Sequence, residues 1–326
     1  MTKLEIYGTF GPSCNNKETI KQMLEIGMTG LRLNLSHCNL SDKEDWINNL
    51  LKASQELGIQ PDFLIDLKGP ELRLPKTDEI EYLPNDSFIC FSTLHWPKEI
   101  MENACVNDTL LIDDGKLSLN IEKIHGLFID CRVIVGGYLY GGKSITIKGK
   151  NITSKLLQDD DIKNIRDAKK YNVTGIMQPF VRSANDLITL KQILKENNTS
   201  DIKIYAKIEN IEGVKHLEEL LPHCDHIVIA RGDLANSVGL TKLPVIQKQI
   251  EDCCKKHHKP YMVVTEMLAS MQEKQVPTRA EVSDIFHAVY NGASSIMLTG
   301  ETANGKFPID AMKYFVETAK EAINLK

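Results

Sequence analysis

Short apolar stretches of β character alternate with amphipathic stretches of helical period along most of the chain. The β-rich stretches cover residues 4–9, 30–35, 63–67, 174–178, 203–208, 226–230, 261–265 and 294–299. The helical stretches lie near residues 17–27, 42–57, 159–171, 184–196, 213–221, 242–257, 280–291 and 308–324. Eight strands that alternate with eight helices predict an α/β protein built on a parallel (β/α)8 TIM barrel.

One interval breaks this alternation. Between residues 74 and 154 the helical period disappears, and β-like segments follow one another at 86–94, 109–113, 117–124, 127–135 and 143–148. The pattern predicts a small all-β domain over 74–154, inserted after strand 3 into a barrel formed by residues 1–73 and 155–326. Because barrel active sites lie at the carboxyl ends of the strands, an insert at this point is expected to act as a lid.

The charge balance limits the classes of partner. The 326 residues carry 39 Lys and Arg against 44 Asp and Glu, a net charge of −5. Binding to a phosphate backbone needs a concentrated basic surface, so nucleic acid is not expected, whereas a small anionic substrate needs only a few local cations. The N-terminal residues lack an apolar signal segment, and no run approaches the roughly 20 apolar residues of a membrane span. We therefore expect a cytoplasmic protein without a membrane partner.

The eight cysteines are scattered along the chain and include no CxxC pair. This spacing argues against a disulfide framework and against a zinc site, and it predicts reduced, mostly buried thiols. His257 and His258 are adjacent, so on a helix they point in different directions and are not expected to bind a metal together.

Polar residues stand where six of the predicted strands end, in the phase that faces the barrel interior. They are Arg32, Asn34 and Ser36 after strand 2, Asp66 after strand 3, Lys207 and Glu209 after strand 5, Arg231 and Asp233 after strand 6, Thr265 at strand 7, and Thr299 and Glu301 at strand 8. Contact with solvent explains one or two such residues, but it does not explain charges at the ends of six strands. The sequence therefore predicts a site at the mouth of the barrel.

The residue types at this mouth indicate an anion and a hard metal ion. Glu209 and Asp233 offer two carboxylates from neighbouring strands without Cys or His, which suits Mg²⁺ or Mn²⁺. Arg32, Arg73 and Lys207 would repel one another unless a phosphate and its metal lay among them, and such clamps stabilise phosphoryl transfer.

Asn34, Ser36 and Asp66 have no phosphate role that follows from their chemistry. They either hold a monovalent cation or form a hydrogen-bond network that braces Arg32. The residues alone leave both interpretations open.

Residues 137–144, GYLYGGKS, match the phosphate-loop pattern GxxxxGK(S/T). That loop works only where a helix begins at the lysine, so that its amides and its dipole face the phosphate. Here residues 145–147 continue the β alternation of the insert, so no phosphate loop is expected. Lys143 remains a candidate as a mobile cation of the lid.

Eight sequence blocks together resemble the motifs of the pyruvate kinase family, in the same order. They are LRLNLSH (31–37), IDLKGPELR (65–73), LLIDDGKLSL (110–119), KIENIEG (207–213), ARGDL (230–234), VTEMLASM (264–271), PTRAE (277–281) and LTGETANGKFP (298–308). The resemblance runs from residue 4 to about residue 322 and implies the family's architecture, a barrel interrupted by a β-rich lid.

The resemblance implies roles position by position. Substrate contacts are implied for Arg32 and Lys207 at the phosphate of phosphoenolpyruvate, and for Thr265 and the amides of Gly232 and Asp233 at the carboxylate of pyruvate. The metal ligands implied are Glu209 and Asp233 for Mg²⁺, and Asn34, Ser36, Asp66 and the carbonyl of Leu67 for K⁺. Glu71 matches the family's glutamate associated with potassium dependence, and a water relay that protonates the enolate is implied at Thr299 and Glu301. Nucleotide contacts are implied at Asn34, His37 and Arg73, and Lys143 and Lys306 are further candidates.

The chain departs from the family pattern in four places. It ends after the last predicted barrel helix, so we expect neither the family's C-terminal effector domain nor its allosteric response, and at most a homodimer. Asn304 stands where the family has a nucleotide-binding lysine, although Lys306 follows two residues later. Pro179 replaces a small residue before the segment FVR, the sequence ANSVGL follows ARGDL, and Glu266 replaces a glutamine beside Thr265.

Three functions are compatible with these residues. The leading hypothesis is a short pyruvate kinase that transfers phosphate from phosphoenolpyruvate to ADP, giving pyruvate and ATP, with Mg²⁺ (or Mn²⁺) and K⁺. A lyase or decarboxylase that uses the same metal–enolate site without a nucleotide is the alternative, favoured by Asn304 and disfavoured by the phosphate clamp. A non-catalytic sensor of phosphoenolpyruvate or pyruvate is disfavoured because Lys207 and both metal ligands are retained.

Overall fold

The computed structural model describes residues 4–36, 38–70, 72–75, 80–113, 115–150 and 156–325. The chain forms two compact units, one of residues 1–68 with 157–326 and one of residues 69–156. The second unit begins a few residues before the insert that the sequence predicted over 74–154, and it ends shortly after it.

Fifteen strands lie in the described residues. They are β1 Glu5–Thr9, β2 Gly30–Asn34, β3 Asp62–Asp66, β4 Ile80–Leu83, β5 Phe88–Ser92, β6 Thr109–Ile112, β7 Leu117–His125, β8 Phe128–Val135, β9 Gly137–Tyr140, β10 Ile145–Ile147, β11 Gly175–Gln178, β12 Lys203–Ile208, β13 His226–Ala230, β14 Tyr261–Val264 and β15 Ser295–Met297.

Eight of these strands close a barrel in the order β1-β15-β14-β13-β12-β11-β3-β2, and every neighbouring pair is parallel. All eight are strands that the hydrophobic pattern predicted, so the (β/α)8 fold class is confirmed. The buried side chains that pack together from these strands are Tyr7, Leu64, Met177, Tyr205, Val228, Ala230, Met262, Val264 and Met297. Because helices cover the outside of the barrel, most strands are buried on both faces, as is usual for parallel sheets.

Twelve α-helices lie in the described residues. They are α1 Lys17–Ile26, α2 Glu44–Leu57, α3 Lys98–Asn103, α4 Asp159–Asp167, α5 Ala184–Glu196, α6 Ile211–Lys215, α7 Leu217–Leu220, α8 Arg231–Val238, α9 Leu243–Lys256, α10 Arg279–Tyr290, α11 Gly300–Ala303 and α12 Pro308–Asn324. Local signals explain both ends of α1: the Asn16 side chain caps its start by accepting from the Thr19 amide at 2.9 Å, and Gly27 ends it at a φ of 131°.

One helix prediction was wrong in detail, and two helices were not predicted. The stretch 213–221 is not one helix but two short ones, α6 and α7, separated at His216. The helices α8 and α11 were not predicted, because α8 buries only Leu234 and Ala235 and α11 is a single turn. Neither segment is long enough or apolar enough to show a helical period.

The second unit contains a five-stranded sheet in the order β10-β6-β7-β8-β5 and a two-stranded sheet of β4 and β9. Its buried core includes Leu110, Leu119, Ile121, Cys131 and Val133. The prediction of an all-β insert was incomplete, since the six-residue helix α3 lies within it and buries Ile100. Residues 137–144 match the phosphate-loop pattern, but they run from β9 through a turn toward β10 and do not lead into a helix. This agrees with the prediction that the segment is not a phosphate loop.

All eight cysteines are free thiols, as predicted, but only Cys14, Cys131, Cys224 and Cys254 are buried. The expectation of mostly buried thiols therefore holds for half of them. None of the helices in the described ranges combines the length and the apolar composition that a bilayer-spanning segment needs.

Candidate active site at the barrel mouth

Asp66 joins the two cations that the sequence predicted at the mouth. It is the last residue of β3 and is only 2% exposed, and its Oδ2 accepts from Arg32 Nε at 3.1 Å and from Arg32 Nη2 at 2.6 Å. The Nζ atom of Lys207 lies 3.3 Å from Oδ1 and 3.2 Å from Oδ2 of the same carboxylate. The strands β2, β3 and β12 thus bring Arg32, Asp66 and Lys207 together at one end of the barrel.

Glu209 extends this network. Its Oε1 lies 2.9 Å from Lys207 Nζ, and its Oε2 accepts from the amide of Phe180 at 2.7 Å. The side chain is almost fully buried. Asp233 lies in the first turn of α8, which follows β13, and β13 pairs with β12. The two carboxylates therefore belong to neighbouring strand–helix units of the barrel.

The charges in this network stabilise one another. Burial would raise the pKa of Asp66, but Lys207 and Arg32 more than offset it, so the pKa of this carboxyl lies below its ordinary value. Burial would lower the pKa of Lys207, and the carboxylates of Asp66 and Glu209 hold it above its ordinary value. Both groups are therefore charged at neutral pH, although both are shielded from water.

Thr265 begins a strained turn at the end of β14. Thr265 and Glu266 have φ angles of 79° and 54°, a left-handed conformation that residues other than glycine seldom adopt. The guanidinium of Arg231 supports this turn, because Nη2 donates to the Thr265 carbonyl at 2.8 Å and Nη1 lies 2.7 Å from Asp284. A Cβ added at Gly232 would lie 3.2 Å from Thr265 Cγ2, so the start of α8 packs closely on the same threonine.

Glu301 holds the end of the eighth barrel strand. It is 1% exposed, its Oε2 accepts from the amide and the hydroxyl of Thr299 at 2.7 and 3.2 Å, and its Oε1 accepts from the Leu268 amide at 2.9 Å. The carboxylate therefore fixes the orientation of the Thr299 hydroxyl. It also links that residue to the segment that follows Thr265.

A family profile described as the barrel domain of pyruvate kinase matches residues 1–312. The chain belongs to the pyruvate kinase family. The resemblance that the motifs indicated is confirmed at this level.

Pyruvate kinases of several organisms are similar over nearly the whole chain. That of Bacillus licheniformis is 32% identical over 348 residues, which cover 100% of this chain and 58% of that protein. That of Clostridium perfringens is 31% identical over 335 residues, which cover 99% of this chain and 70% of that protein. That of Aeropyrum pernix is 31% identical over 323 residues, which cover 98% of this chain and 70% of that protein. The chain thus spans between about half and three quarters of the length of these pyruvate kinases.

Residues at the positions that match the family's potassium ligands form hydrogen bonds within the barrel unit. The Oδ1 atom of Asn34 accepts from the amide of Ser36 at 3.1 Å, and the amide of Leu35 donates to the carbonyl of Asp66 at 2.9 Å. Leu67 follows Asp66 and is buried. Arg32 is braced by the carboxylate of Asp66, whereas the side chain of Asn34 braces the turn after β2 by accepting from the backbone amide of Ser36.

The positions that match the family's nucleotide contacts are not all part of the barrel unit. In the second unit, Arg73 Nη1 donates to the Gly142 carbonyl at 2.8 Å, and Lys143 Nζ lies 2.9 Å from Asp113 and 4.3 Å from the ring centre of Tyr140. His37 and Glu71 lie outside the described residues.

In the barrel unit, the loop of Asn304 and Lys306 is exposed. The side chain of Lys306 is 63% exposed and forms an ion pair with Glu273. The amide of Lys306 donates to the Gln272 carbonyl at 2.9 Å, which fixes the backbone of this loop beside the segment that follows β14.

Sequence reasoning placed Arg231 at the mouth without a role, and it missed Phe180. The amide of Phe180 orients Glu209, and its φ of 52° places it in the left-handed region. A hydrogen bond from a backbone amide does not depend on the residue type, so the sequence does not predict it. The presence of Arg231 next to a strand end could have suggested a supporting role, because a guanidinium needs several hydrogen-bond acceptors. The structure shows that these acceptors include the Thr265 carbonyl and Asp284.

Proposed function

We propose that this chain transfers the phosphoryl group of phosphoenolpyruvate to a nucleoside diphosphate, with ADP as the expected acceptor. In this reaction the bond between phosphorus and the enol oxygen breaks, a bond from phosphorus to a terminal oxygen of the diphosphate forms, and the enolate takes one proton at carbon to give pyruvate. The observation that carries the proposal is the buried network in which Asp66 holds Arg32 and Lys207 side by side at the mouth of a pyruvate kinase-type barrel.

The phosphoryl group would lie against Arg32 and Lys207. Both cations are charged and largely desolvated, so their interaction with a phosphoryl group that carries developing charge is stronger than in water. Asp66 keeps them at fixed positions before the substrate arrives, which reduces the cost of assembling two positive charges.

Glu209 and Asp233 fit a hard divalent ion. They are carboxylates on neighbouring strand–helix units, and the set contains no sulfur or imidazole, as expected for Mg²⁺ or Mn²⁺. When bound, such an ion supplies charge neutralisation for the oxygens of the substrate. The amide of Phe180 and the ammonium of Lys207 hold the Glu209 carboxylate in place for this role.

The enolate end would lie at Thr265 and the first turn of α8. The amides of Gly232 and Asp233 open that helix and point outward from its first turn, where an anionic carboxylate is favoured. On the other side, Thr299 and Glu301 would hold the water that delivers the proton to carbon. The buried Glu301 does this by fixing the Thr299 hydroxyl.

A monovalent cation fits beside Asn34, Ser36, Asp66 and the carbonyl of Leu67 only together with substrate. Both oxygens of Asp66 already face Arg32 or Lys207, so a third positive charge needs the phosphate to offset it. We therefore expect K⁺ and phosphoenolpyruvate to increase each other's affinity. For the nucleotide, the proposal assigns Asn34, His37, Arg73, Lys143 and Lys306.

An assay of pyruvate formation with a panel of nucleoside diphosphates tests the proposal. Pyruvate that appears only when a diphosphate is present, with one triphosphate formed per pyruvate, supports the kinase. Product formed from the enolate without any nucleotide would instead support the lyase or decarboxylase, for which the absence of a lysine at Asn304 is the motivation. Binding of phosphoenolpyruvate without turnover would support the sensor.

The variants Glu209→Gln and Asp233→Asn test the metal ligands. Each should lower kcat by about a thousandfold and weaken Mn²⁺ binding, because a neutral amide replaces a carboxylate at the ion. Glu219→Gln is a matched control, since Glu219 is an exposed carboxylate on α7. Near-normal turnover in either site variant would contradict the assignment.

A further inference from the structure

Three side chains with different metal-binding atoms lie together on the sheet of the second unit. Cys90 on β5 stands directly opposite Asp130 on β8, and His125 ends the neighbouring strand β7. The His125 Nε2 atom lies 3.1 Å from Asp130 Oδ1, and the thiol of Cys90 lies beside the same carboxylate. The thiol sulfur, one imidazole nitrogen and one carboxylate oxygen all lie within 4.8 Å of one another.

We propose that Cys90, His125 and Asp130 bind a divalent transition-metal ion of the Zn²⁺ type, with water as the fourth ligand. One sulfur, one nitrogen and one oxygen form the mixed set that zinc accepts in sites with three protein ligands and an open position. Mg²⁺ and K⁺ prefer oxygen alone, so this cluster and the carboxylates at the barrel mouth select different ions.

The charges balance when such an ion binds. Cys90 loses its thiol proton to solvent as the metal–sulfur bond forms, and His125 binds as the neutral imidazole. A thiolate and a carboxylate then offset the two positive charges of the ion. The ion would lie between the Cys90 sulfur, the His125 nitrogen and the Asp130 oxygen, which are already close together. Lys123, which pairs with Asp130 in the β7–β8 ladder, is a competing cation, since its charge already lowers the pKa of that carboxyl.

The rest of the described chain offers one comparable cluster, Glu218, Cys253 and His257 on the barrel unit. There the Glu218 carboxylate already has the Lys256 ammonium at 3.1 Å and His257 at 3.3 Å. A metal would have to displace a full positive charge from its carboxylate ligand. This cluster therefore serves as an internal control for the one at Cys90.

An ion at Cys90 would join three strands of one sheet. β5 is an edge strand, held to the sheet by β8 on one side only, and β7 follows β8 in the sheet order. Ligands from β5, β7 and β8 would connect this edge to the sheet interior through metal bonds. This site could not be predicted from the sequence, because the cysteine spacing contains no metal-binding motif. The three ligands are brought together by strand pairing alone.

Titration of the full chain with Co²⁺ tests the proposal, after treatment with a chelator and with Mg²⁺ in excess to fill the carboxylates at the barrel mouth. Co²⁺ bound to a thiolate has a strong near-ultraviolet charge-transfer absorption that a carboxylate site lacks. We expect one such ion per chain, displaced by Zn²⁺. Cys90→Ser should abolish the absorption, and His125→Ala should weaken binding by more than about tenfold.

The matched controls are Cys105→Ser, which changes another exposed cysteine of the same unit, and Cys253→Ser, which changes the cluster on the barrel unit. Both should bind Co²⁺ as the unaltered chain does. Because Cys90 and His125 are exposed, their variants should remain folded, which circular dichroism verifies. An absorption that is absent from the unaltered chain, that persists in Cys90→Ser, or that disappears in Cys253→Ser would overturn the proposal.

Discussion

The two ends of the barrel both bury polar side chains, but they balance them in opposite ways. At the carboxyl end, the negative charge of Asp66 faces the positive charges of Arg32 and Lys207. At the amino end, the hydroxyl of Tyr7 lies 3.0 Å from a carboxylate oxygen of Glu5 and 3.0 Å from one of Asp62. A tyrosine hydroxyl has one proton, so it donates to only one of these carboxylates at a time.

The pKa shifts follow from this difference. At the carboxyl end the cations prevail over burial, and the pKa of Asp66 is lowered. At the amino end burial prevails: it raises the pKa of Glu5, and it lowers the pKa of His226, which stacks on Tyr205, to about 4. The mouth therefore keeps its charges at neutral pH, and the amino end favours neutral forms. This agrees with the general division of such barrels, in which one face carries chemistry and the other stability.

The largest expected effect comes from removing the charge of Asp66. Asp66→Asn leaves two cations without their shared carboxylate, so we expect the free energy of unfolding to fall by about 3 to 5 kcal/mol and turnover to be lost. Asp62→Asn is the matched change at the amino end, and it should cost less than about 1 kcal/mol because the Tyr7 hydroxyl can donate to the new amide oxygen. Denaturant titrations of both variants at pH 7 measure this, and equal losses would remove the distinction between the two ends.

The same pair has a pH signature. Because the pKa of Asp66 is lower in the folded protein than in the unfolded chain, its stabilising contribution is complete above the ordinary value of an aspartate. That contribution is lost as the pH falls through the lowered folded value. The difference in unfolding free energy between the unaltered chain and Asp66→Asn should therefore shrink in acid.

The next largest effect is expected from Arg231, which supports the strained turn at Thr265. Arg231→Lys removes the planar fork that donates to the Thr265 carbonyl and pairs with Asp284, so the strained turn at Thr265 should relax. We expect kcat to fall roughly 10- to 100-fold while Mn²⁺ binding stays unchanged. Asp284→Asn, which keeps a hydrogen-bond acceptor for Arg231, should have a smaller effect on kcat. Unchanged kcat in Arg231→Lys would show that the turn holds its shape without the guanidinium.

The barrel strands could be predicted because most of them carry a run of apolar residues, such as IVIA in β13, and β2 alternates apolar residues with Arg32 and Asn34. Arg32, Lys207 and Glu209 could be predicted for a related reason. Side chains alternate between the two faces of a strand, so the strand positions show which polar residues face the barrel interior. The helix α8 could not be predicted, because its sequence RGDLANSV is shaped by its contacts with β13 and Thr265 rather than by a helical period.

Contacts between residues far apart in the chain could not be predicted from the sequence. The pairing of Lys207 with Asp66 joins residues 141 positions apart, and the choice of Asp66 as the shared partner depends on the barrel order. The strands β4 and β9 were not predicted, because each has only four residues and they pair only with each other in a separate two-stranded sheet. The boundary of the second unit lies at residue 69, where the polar sequence after β3 shows no change of period.

A smaller effect is expected at the amino end. Tyr7→Phe removes the hydroxyl between two carboxylates and should lower the free energy of unfolding by about 1 to 3 kcal/mol, with kcat unchanged. Tyr205→Phe is the control, because its hydroxyl lies 3.5 Å from that of Tyr7 and contributes less. The pKa of Glu5 is raised, so its protonated form is favoured in the folded protein. The contribution of Glu5 to the free energy of unfolding should therefore fall as the pH rises through this raised pKa. Glu5→Gln should remove this pH dependence of stability. A change in kcat for Tyr7→Phe would contradict the separation of the two ends.

The smallest effect is expected at the exposed rim of the mouth, where Lys306 lies. We infer that Lys306 partly replaces the lysine missing at Asn304, because a lysine stem is flexible enough to reach from two residues along the loop. Its ion pair with Glu273 is exposed on both sides, so breaking that pair costs little and leaves the ammonium available to a nucleotide phosphate. Lys306→Ala should raise the KM for ADP roughly two- to fivefold and leave the KM for phosphoenolpyruvate unchanged. Asn304→Lys should restore the ADP value in the double variant, and Glu273→Gln, which frees Lys306, should lower it. If Lys306→Ala leaves the KM for ADP unchanged, or raises both KM values equally, then Lys306 is a solvated loop residue and the nucleotide is held by other groups.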